Sequence, residues 1–187
     1  MSFEDAPRLG PRLETPRLIL RPTAASDFSG WCELLGDPEA ARFLGGVQPP
    51  SGAWRSLVAM AGSWALYGFG MFSVLERASG RWIGRVGPWQ PEGWPGTEVG
   101  WGLLRSAWGQ GYAQEAAQAS IDWAFERLRW REVVHVIAPG NGASIRLAER
   151  LGSVHRGPTR LPVPLDGFEV HLWGQSAEAW RGRRQLG

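Results

Sequence analysis

The sequence predicts a mixed α/β (α+β) domain, with a central mixed, twisted sheet covered by helices on both faces. Short β-patterned runs alternate with helical stripes along the chain. Two of the helices begin with glycine or polar start signals directly after a strand. No repeat, linker or low-complexity block divides the 187 residues, which suffice for one well-cored domain and are short for two. Residues 1–12, rich in proline and charge, read as a loose arm, and residues 13–187 as the single domain.

The elements follow in order. Residues 17–21 (RLILR) alternate strictly, with Leu18 and Leu20 on one face, as a strand does. Phe28, Trp31, Cys32 and Leu35 form one stripe of a helix ending near Gly36. A second helix is read from Trp54, Leu57, Val58, Ala61 and Trp64. Strands at about 70–76 and 81–87 are joined by a turn at Ala78-Ser79-Gly80. The Pro/Gly/Trp segment 88–96 reads as a loop, and 97–104 as another strand. A long helix begins after Gly111, with Ala113, Ala117, Ile121, Ala124 and Leu128 as its buried stripe. Residues 132–137 (EVVHVI) form a strand, and Asn141 caps a helix carrying Ile145, Ala148 and Leu151, closed by Gly152. A final strand lies near 168–173.

Composition excludes several functions. The sequence pI of 9.3 invites a nucleic-acid reading, yet net charge is only +2. All 20 basic residues are arginine, so few groups titrate between histidine and arginine and the pI is high without a strong positive field. Apart from Arg181, Arg183 and Arg184, the arginines are scattered, which argues against nucleic acid as a partner. No apolar run approaches the ~18 residues that cross a bilayer, and the N-terminus lacks a signal-peptide core. A lone Cys32 fits a reducing compartment, so the expected location is the cytoplasm, away from membranes. No metal-ligand pattern is expected. Twelve tryptophans are the oddity; several fall in glycine-rich loops, suited to a pocket or a homodimer interface.

The most informative segment runs strand, short loop, Gly-x-Gly, helix. Gly109 and Gly111 remove Cβ atoms where a ligand would approach the backbone, and Tyr112 and Ala113 open a helix whose first N–H groups lack internal acceptors. Such a helix start suits a pyrophosphate. Gln114 occupies the third position of a Gly-x-Gly-x-x-Gly pattern, which disfavours a nicotinamide site, and the absence of lysine rules out a Walker loop. The second segment is Asn141-Gly142-Ala143-Ser144. Parallel neighbouring strands would bring both helix starts to one sheet edge, where open α/β sheets bind ligands.

With these segments in view, the chain resembles the GNAT acetyltransferases, and within them the ribosomal-protein N-terminal acetyltransferase-like branch. The resemblance runs from about Thr15 to Trp173. It is carried by Thr15-Pro16-Arg17-Leu18-Ile19-Leu20-Arg21, Asp27, Asp37-Pro38, Ile83-Gly84, Glu98-Val99-Gly100-Trp101, Trp108 to Ala116, Asn141 to Ser144, and Glu149-Arg150-Leu151-Gly152. Trp108 stands where the family's general pattern has Arg or Gln, as is common in the branch. The resemblance implies the GNAT fold and acetyl-CoA as cofactor. It implies that the backbone of Leu103, Leu104 and Arg105 pairs with the pantetheine arm. Trp108, Gly109, Gln110, Gly111, Tyr112 and Ala113 would hold the pyrophosphate, and Asn141 and Ser144 the far side of the cofactor. Arg146 and Arg150 are candidates for the adenosine phosphates or are solvated helix arginines.

The implied reaction is direct acetyl transfer to an amine in a ternary complex, the acceptor being a small molecule or a peptide, with a protein N-terminal α-amine slightly favoured. Glu98 is the candidate base, acting directly or through water; its alternative is a structural strand carboxylate. A backbone N–H near Leu103–Leu104 is expected to polarise the carbonyl. Many relatives have Phe after Leu151-Gly152 and some a nearby tyrosine that protonates the departing thiolate; here the sequence is Ser153-Val154-His155, and the only tyrosines are Tyr67 and Tyr112. Ser144 is the substitute. Trp89, Trp94 and Trp101 are candidate walls of the acceptor cleft. His135 reads as structural, and His171 as a residue that could face the acceptor. The rival readings are an antibiotic or metabolite acetyltransferase and a non-catalytic acyl-CoA-binding module. With only Glu92 and Glu98 as acids, residues 88–98 argue against a polycationic drug.

Overall fold

The computed structural model describes residues 9–186. Strands β1 (Leu13–Glu14), β2 (Leu18–Arg21), β3 (Phe72–Glu76), β4 (Trp82–Trp89), β5 (Glu98–Leu103), β6 (Glu132–Ile137), β7 (Val154–Thr159) and β8 (Val170–Ser176) form one sheet in the order β1-β2-β3-β4-β5-β6-β8-β7. Every neighbouring pair is antiparallel except β5 and β6. The helices are α1 (Phe28–Gly36), α2 (Pro38–Ala41), α3 (Pro50–Tyr67), α4 (Tyr112–Glu126), α5 (Gly142–Leu151) and α6 (Ala177–Leu186).

One core cluster joins α4, α5 and α6 to the sheet through Ala116, Ala117, Ile121, Leu147, Leu151 and Trp180. The other joins α1 and α3 to the sheet's remaining surface through Trp31, Leu34, Leu57, Met60 and Trp82. Small residues on α4 let the helix lie close to the strands. Its buried face is Ala116, Ala117, Ser120, Ile121, Ala124 and Phe125; Ala113 is half-buried and Leu128 follows the helix. Asp27, at the start of α1, accepts from both Arg21 Nη atoms at 2.9 and 2.6 Å and from Ser73 Oγ at 2.6 Å, pinning that helix to β2 and β3.

Several sequence expectations need correction. On α3 the buried stripe is Ala53, Leu57, Met60 and Trp64, while Trp54 and Val58 are exposed. β4 extends through Pro88 and Trp89, residues expected in a loop. Pro88 pairs with Val99 beyond the last β3 partner, Phe72 opposite Val86, so its missing N–H interrupts no ladder. Strand β7 and helix α6 add elements to the C-terminal region, and β8 runs to Ser176. Of the expected arm, residues 1–8 lie outside the described residues. Gly10 is not loose: a Cβ there would stand 2.5 Å from the Trp64 indole. Among the described residues no helix is long and apolar enough to cross a membrane.

Candidate active site

The site begins where the sheet comes apart. β5 and β6 pair only at Glu98 opposite Val134, with the Val134 N–H on the Thr97 carbonyl at 2.9 Å. At the next rung side chains replace backbone partners. The Val136 N–H donates to Glu98 Oε1 at 3.2 Å, and the Val99 carbonyl accepts from His135 Nδ1 at 2.7 Å. Both backbone groups are therefore satisfied without a ladder, and the strands diverge. A carbonyl can only accept, so His135 carries its proton on Nδ1, and Nε2 accepts from Ser153 Oγ at 2.9 Å. Ser153 Oγ accepts in turn from Gln175 Nε2 at 3.1 Å. Burial drives the His135 pKa down to about 4, so the ring is a neutral strut, as expected for a structural histidine.

On the α4 side, a cleft of about 700 Å³ is lined by the loop before α4, the start of α5 and the end of β5. Gly109 and Gly111 have φ of 74° and 78°, in the left-handed region that a Cβ disfavours. The loop is anchored from the residue just before β2: Arg17 donates through Nη1 to the Gln110 carbonyl at 2.8 Å and through Nε to Glu115 Oε2 at 2.6 Å. Glu115 Oε1 also accepts from Thr15 Oγ1 and the Arg17 N–H. Trp108, half-exposed, ties the loop to the strand end by donating from Nε1 to the Leu103 carbonyl at 2.9 Å. The Gln110 side chain donates to the Ser106 carbonyl, and the Tyr112 hydroxyl to Glu76. The first N–H groups of α4 have no acceptor within the helix.

At α5, Asn141 Oδ1 accepts from the Ser144 N–H at 3.1 Å, as a helix cap. Ser144 Oγ accepts from Trp101 Nε1 at 3.0 Å and keeps its own proton to donate. Arg150 lines the cleft and donates to Gln114 Oε1; Arg146 lies against Gly142 outside the lining. Of the three expected pantetheine partners, only Leu103 lines the cleft. The Leu104 N–H is committed to the Ile83 carbonyl of β4 at 2.9 Å, and Arg105 pairs with Asp37 at 3.3 Å. Strand alternation therefore turns the N–H groups of Trp101 and Leu103, not Leu104, toward the open edge.

Across the sheet lies a second cavity, of about 460 Å³, with Trp31, Trp89, Trp94 and Phe168 among its walls and Arg85 and Glu98 in it. Trp89 and Trp94, both candidate walls of an acceptor cleft, line this one cavity. Trp101, with Arg42, Phe43, Leu44, Asn141 and Ser144, lines both spaces and marks their junction. Glu98 is buried; Oε2 accepts from Trp94 Nε1 at 2.6 Å. Burial pushes its pKa up to about 7, against the pull of the Val136 and Trp94 N–H groups and of Arg85. His171 does not line the cavity; its Nδ1 meets His155 Nε2 at 2.8 Å. Sequence reasoning missed Arg85 and the 42–44 segment. The one available signal for Arg85 was a charge at an inward position of the apolar strand Trp82–Trp89.

The cleft fits a long nucleotide-bearing thioester: two helix starts, glycines in positive φ and an unpaired strand edge surround one space. Residues 17–154 match the family described as an acetyltransferase (GNAT) domain. The chain is 30% identical over 152 residues to an uncharacterized N-acetyltransferase, p20, of Bacillus licheniformis, covering 79% of this chain and 85% of that one. It is 39% identical over 88 residues to the uncharacterized protein YkkB of Bacillus subtilis (strain 168), covering 46% of this chain and 51% of YkkB. That match spans about half the length of YkkB. The crystal structure of an acetyltransferase from Agrobacterium tumefaciens str. C58 superposes with a TM-score of 0.78 at 30% identity, over 88% of this chain and 94% of that one.

Proposed function

The chain belongs to the GNAT acetyltransferase family, and from that premise we propose that it transfers an acetyl group from acetyl-CoA to an amine held in the aromatic cavity. The observation that carries this reading is the junction at Trp101 and Ser144, where a backbone-lined cleft and a side-chain-lined cavity meet through the gap between β5 and β6. Acetyl-CoA would supply an acyl group activated as a thioester.

The loop 108–113 and the starts of α4 and α5 bind the phosphate-bearing end of that group, and the Trp101 and Leu103 edge orients its arm. A backbone N–H on that edge is the donor assigned to the carbonyl oxygen, a contact worth roughly 3 kcal/mol. Glu98 is the base. With a pKa of about 7 it is substantially ionised at neutral pH and still able to hold a proton, the condition that favours general-base catalysis. An α-amine near pKa 7.8 needs only about 1 kcal/mol to lose its proton at pH 7, against about 4.6 for a lysine-like amine. This difference, with the resemblance to the ribosomal-protein branch, supports an α-amine as the group acetylated. Ser144 Oγ, free to donate, stabilises negative charge on the cofactor side of the junction. Neither tyrosine competes for that role: Tyr67 is exposed on α3 and the Tyr112 hydroxyl is engaged by Glu76.

The test combines acetyl-CoA binding by calorimetry with thiol release over a panel of amines and peptides. Binding with amine-dependent release supports the transferase. Tight binding with no release on any acceptor leaves the non-catalytic acyl-CoA module instead.

A further inference from the structure

Arg85 and Glu98 lie on one surface of the β4–β5 ribbon. Arg85 pairs with Gly102, Gly87 with Gly100, and Trp89 with Glu98, so two glycines separate the charged positions on that surface. Both side chains line the aromatic cavity, and Arg85 takes no part in the cofactor cleft. Among the described residues no carboxylate forms an ion pair with Arg85. Its hydrogen-bond partner is the Met71 sulfur, a weak acceptor, and its Nε is buried with none. The guanidinium lies 5.5 Å from the Trp31 ring centre, and the Trp31 Nε1 is likewise buried without an acceptor. Burial lowers the Arg85 pKa to about 10, against the opposing pull of Glu98, and the group remains charged at neutral pH.

A part-exposed guanidinium that lines a cavity with apolar and aromatic walls, and has no carboxylate in hydrogen-bond contact, is suited to receive an anion there. The cofactor's phosphates belong to the other cleft. We propose that the acceptor supplies it: the substrate is an amino acid with an apolar or aromatic side chain, whose carboxylate binds Arg85 while its amine faces Glu98. This rests on the cavity being the acceptor site. The planar fork of arginine matches a carboxylate, and the tryptophan walls take the apolar body. A neutral or polycationic amine would leave Arg85 unsatisfied. A protein N-terminus, which amine pKa alone favours, carries no carboxylate beside its amine and leaves Arg85 without an anion; the more basic amine of a free amino acid relies on Glu98 as its base.

The experiment compares L-phenylalanine, L-phenylalaninamide, phenethylamine and a neutral hexapeptide as acceptors with acetyl-CoA. The expected result is a kcat/KM for L-phenylalanine at least 30-fold above each of the other three, because a site built to bond a polar group discriminates strongly against analogues lacking it. In Arg85→Gln the ratio of L-phenylalanine to phenethylamine should fall to within about threefold of one, with Arg85→Lys between. Acetyl-CoA affinity and thermal unfolding report whether each variant is folded. Equal or better turnover of the amide, phenethylamine or the peptide overturns the carboxylate site and leaves acetyl transfer standing. If no amine turns over, the transferase reading fails by itself. Calorimetry of L-phenylalanine against phenethylamine then decides the anion site, and equal or absent binding overturns it.

Discussion

The two spaces that meet at Trp101 are built by different means. The proposed cofactor cleft is largely main chain: left-handed glycines, helix-start amides and a strand edge, with Trp108 in its lining tied to the strand end and Arg17 bracing the loop from outside it. The proposed acceptor cavity is largely side chain: tryptophans from α1, β4 and the following loop, with Glu98 and Arg85 brought in by adjacent strands and Arg42 at the junction. A main-chain site is tolerant of substitution except where a Cβ intrudes, and its geometry serves a ligand common to many enzymes. A side-chain site changes with each residue, and can specify an acceptor.

The two halves should therefore fail separately. The largest effect is expected for Glu98→Gln, which should lower kcat/KM by about 10²–10⁴-fold while leaving acetyl-CoA affinity within about twofold. The wild-type rate should rise with pH through about 7, as the carboxyl loses its proton and becomes a base, and this rise should vanish in the variant. A matching loss of cofactor affinity would show that the halves are not separable. Next comes Gly111→Val. Forcing a branched side chain to a φ of 78° strains the loop by about 1–2 kcal/mol, predicting roughly tenfold weaker acetyl-CoA binding by calorimetry and an unchanged pH profile. Trp101→Phe acts at the junction. It keeps a ring against His135 but removes the donor to Ser144 Oγ, worth about 1 kcal/mol, so kcat should drop about fivefold with both affinities nearly constant. Smallest is Glu115→Gln, which loosens the Arg17 anchor. Arg17 is half-exposed, so solvent screening limits the loss to about two- to threefold in cofactor affinity, shrinking further in high salt.

The same contrast explains what could be read from the residues. Gly109, Gly111, Asn141 and Ser144 sit in contiguous motifs whose chemistry is local, and strand 132–137 and the Gly152 helix end are equally local. Arg85 was not legible as a ligand because its lack of a partner is a property of the folded cavity. Leu104 and Leu103 look alike in sequence; only the register with Ile83 decides which N–H faces the gap. Strand β7 carries His, Arg, Gly and Pro at an exposed sheet edge, and so shows no alternation. Helix α6 hides behind three arginines, although Trp180 buries its ring and donates to Asp122. On α3, Trp54 and Val58 mimic an inward stripe while facing outward, since pattern alone cannot tell an apolar surface from a core.

The Glu98–His135 device has one further effect. An unpaired strand margin is ordinarily a hazard, inviting a neighbouring molecule to add a strand and begin an aggregate. Here that margin lies inside the domain, along a crevice flanked by α4 and α5. So enclosed, it is shielded from the strand addition that an outer edge invites.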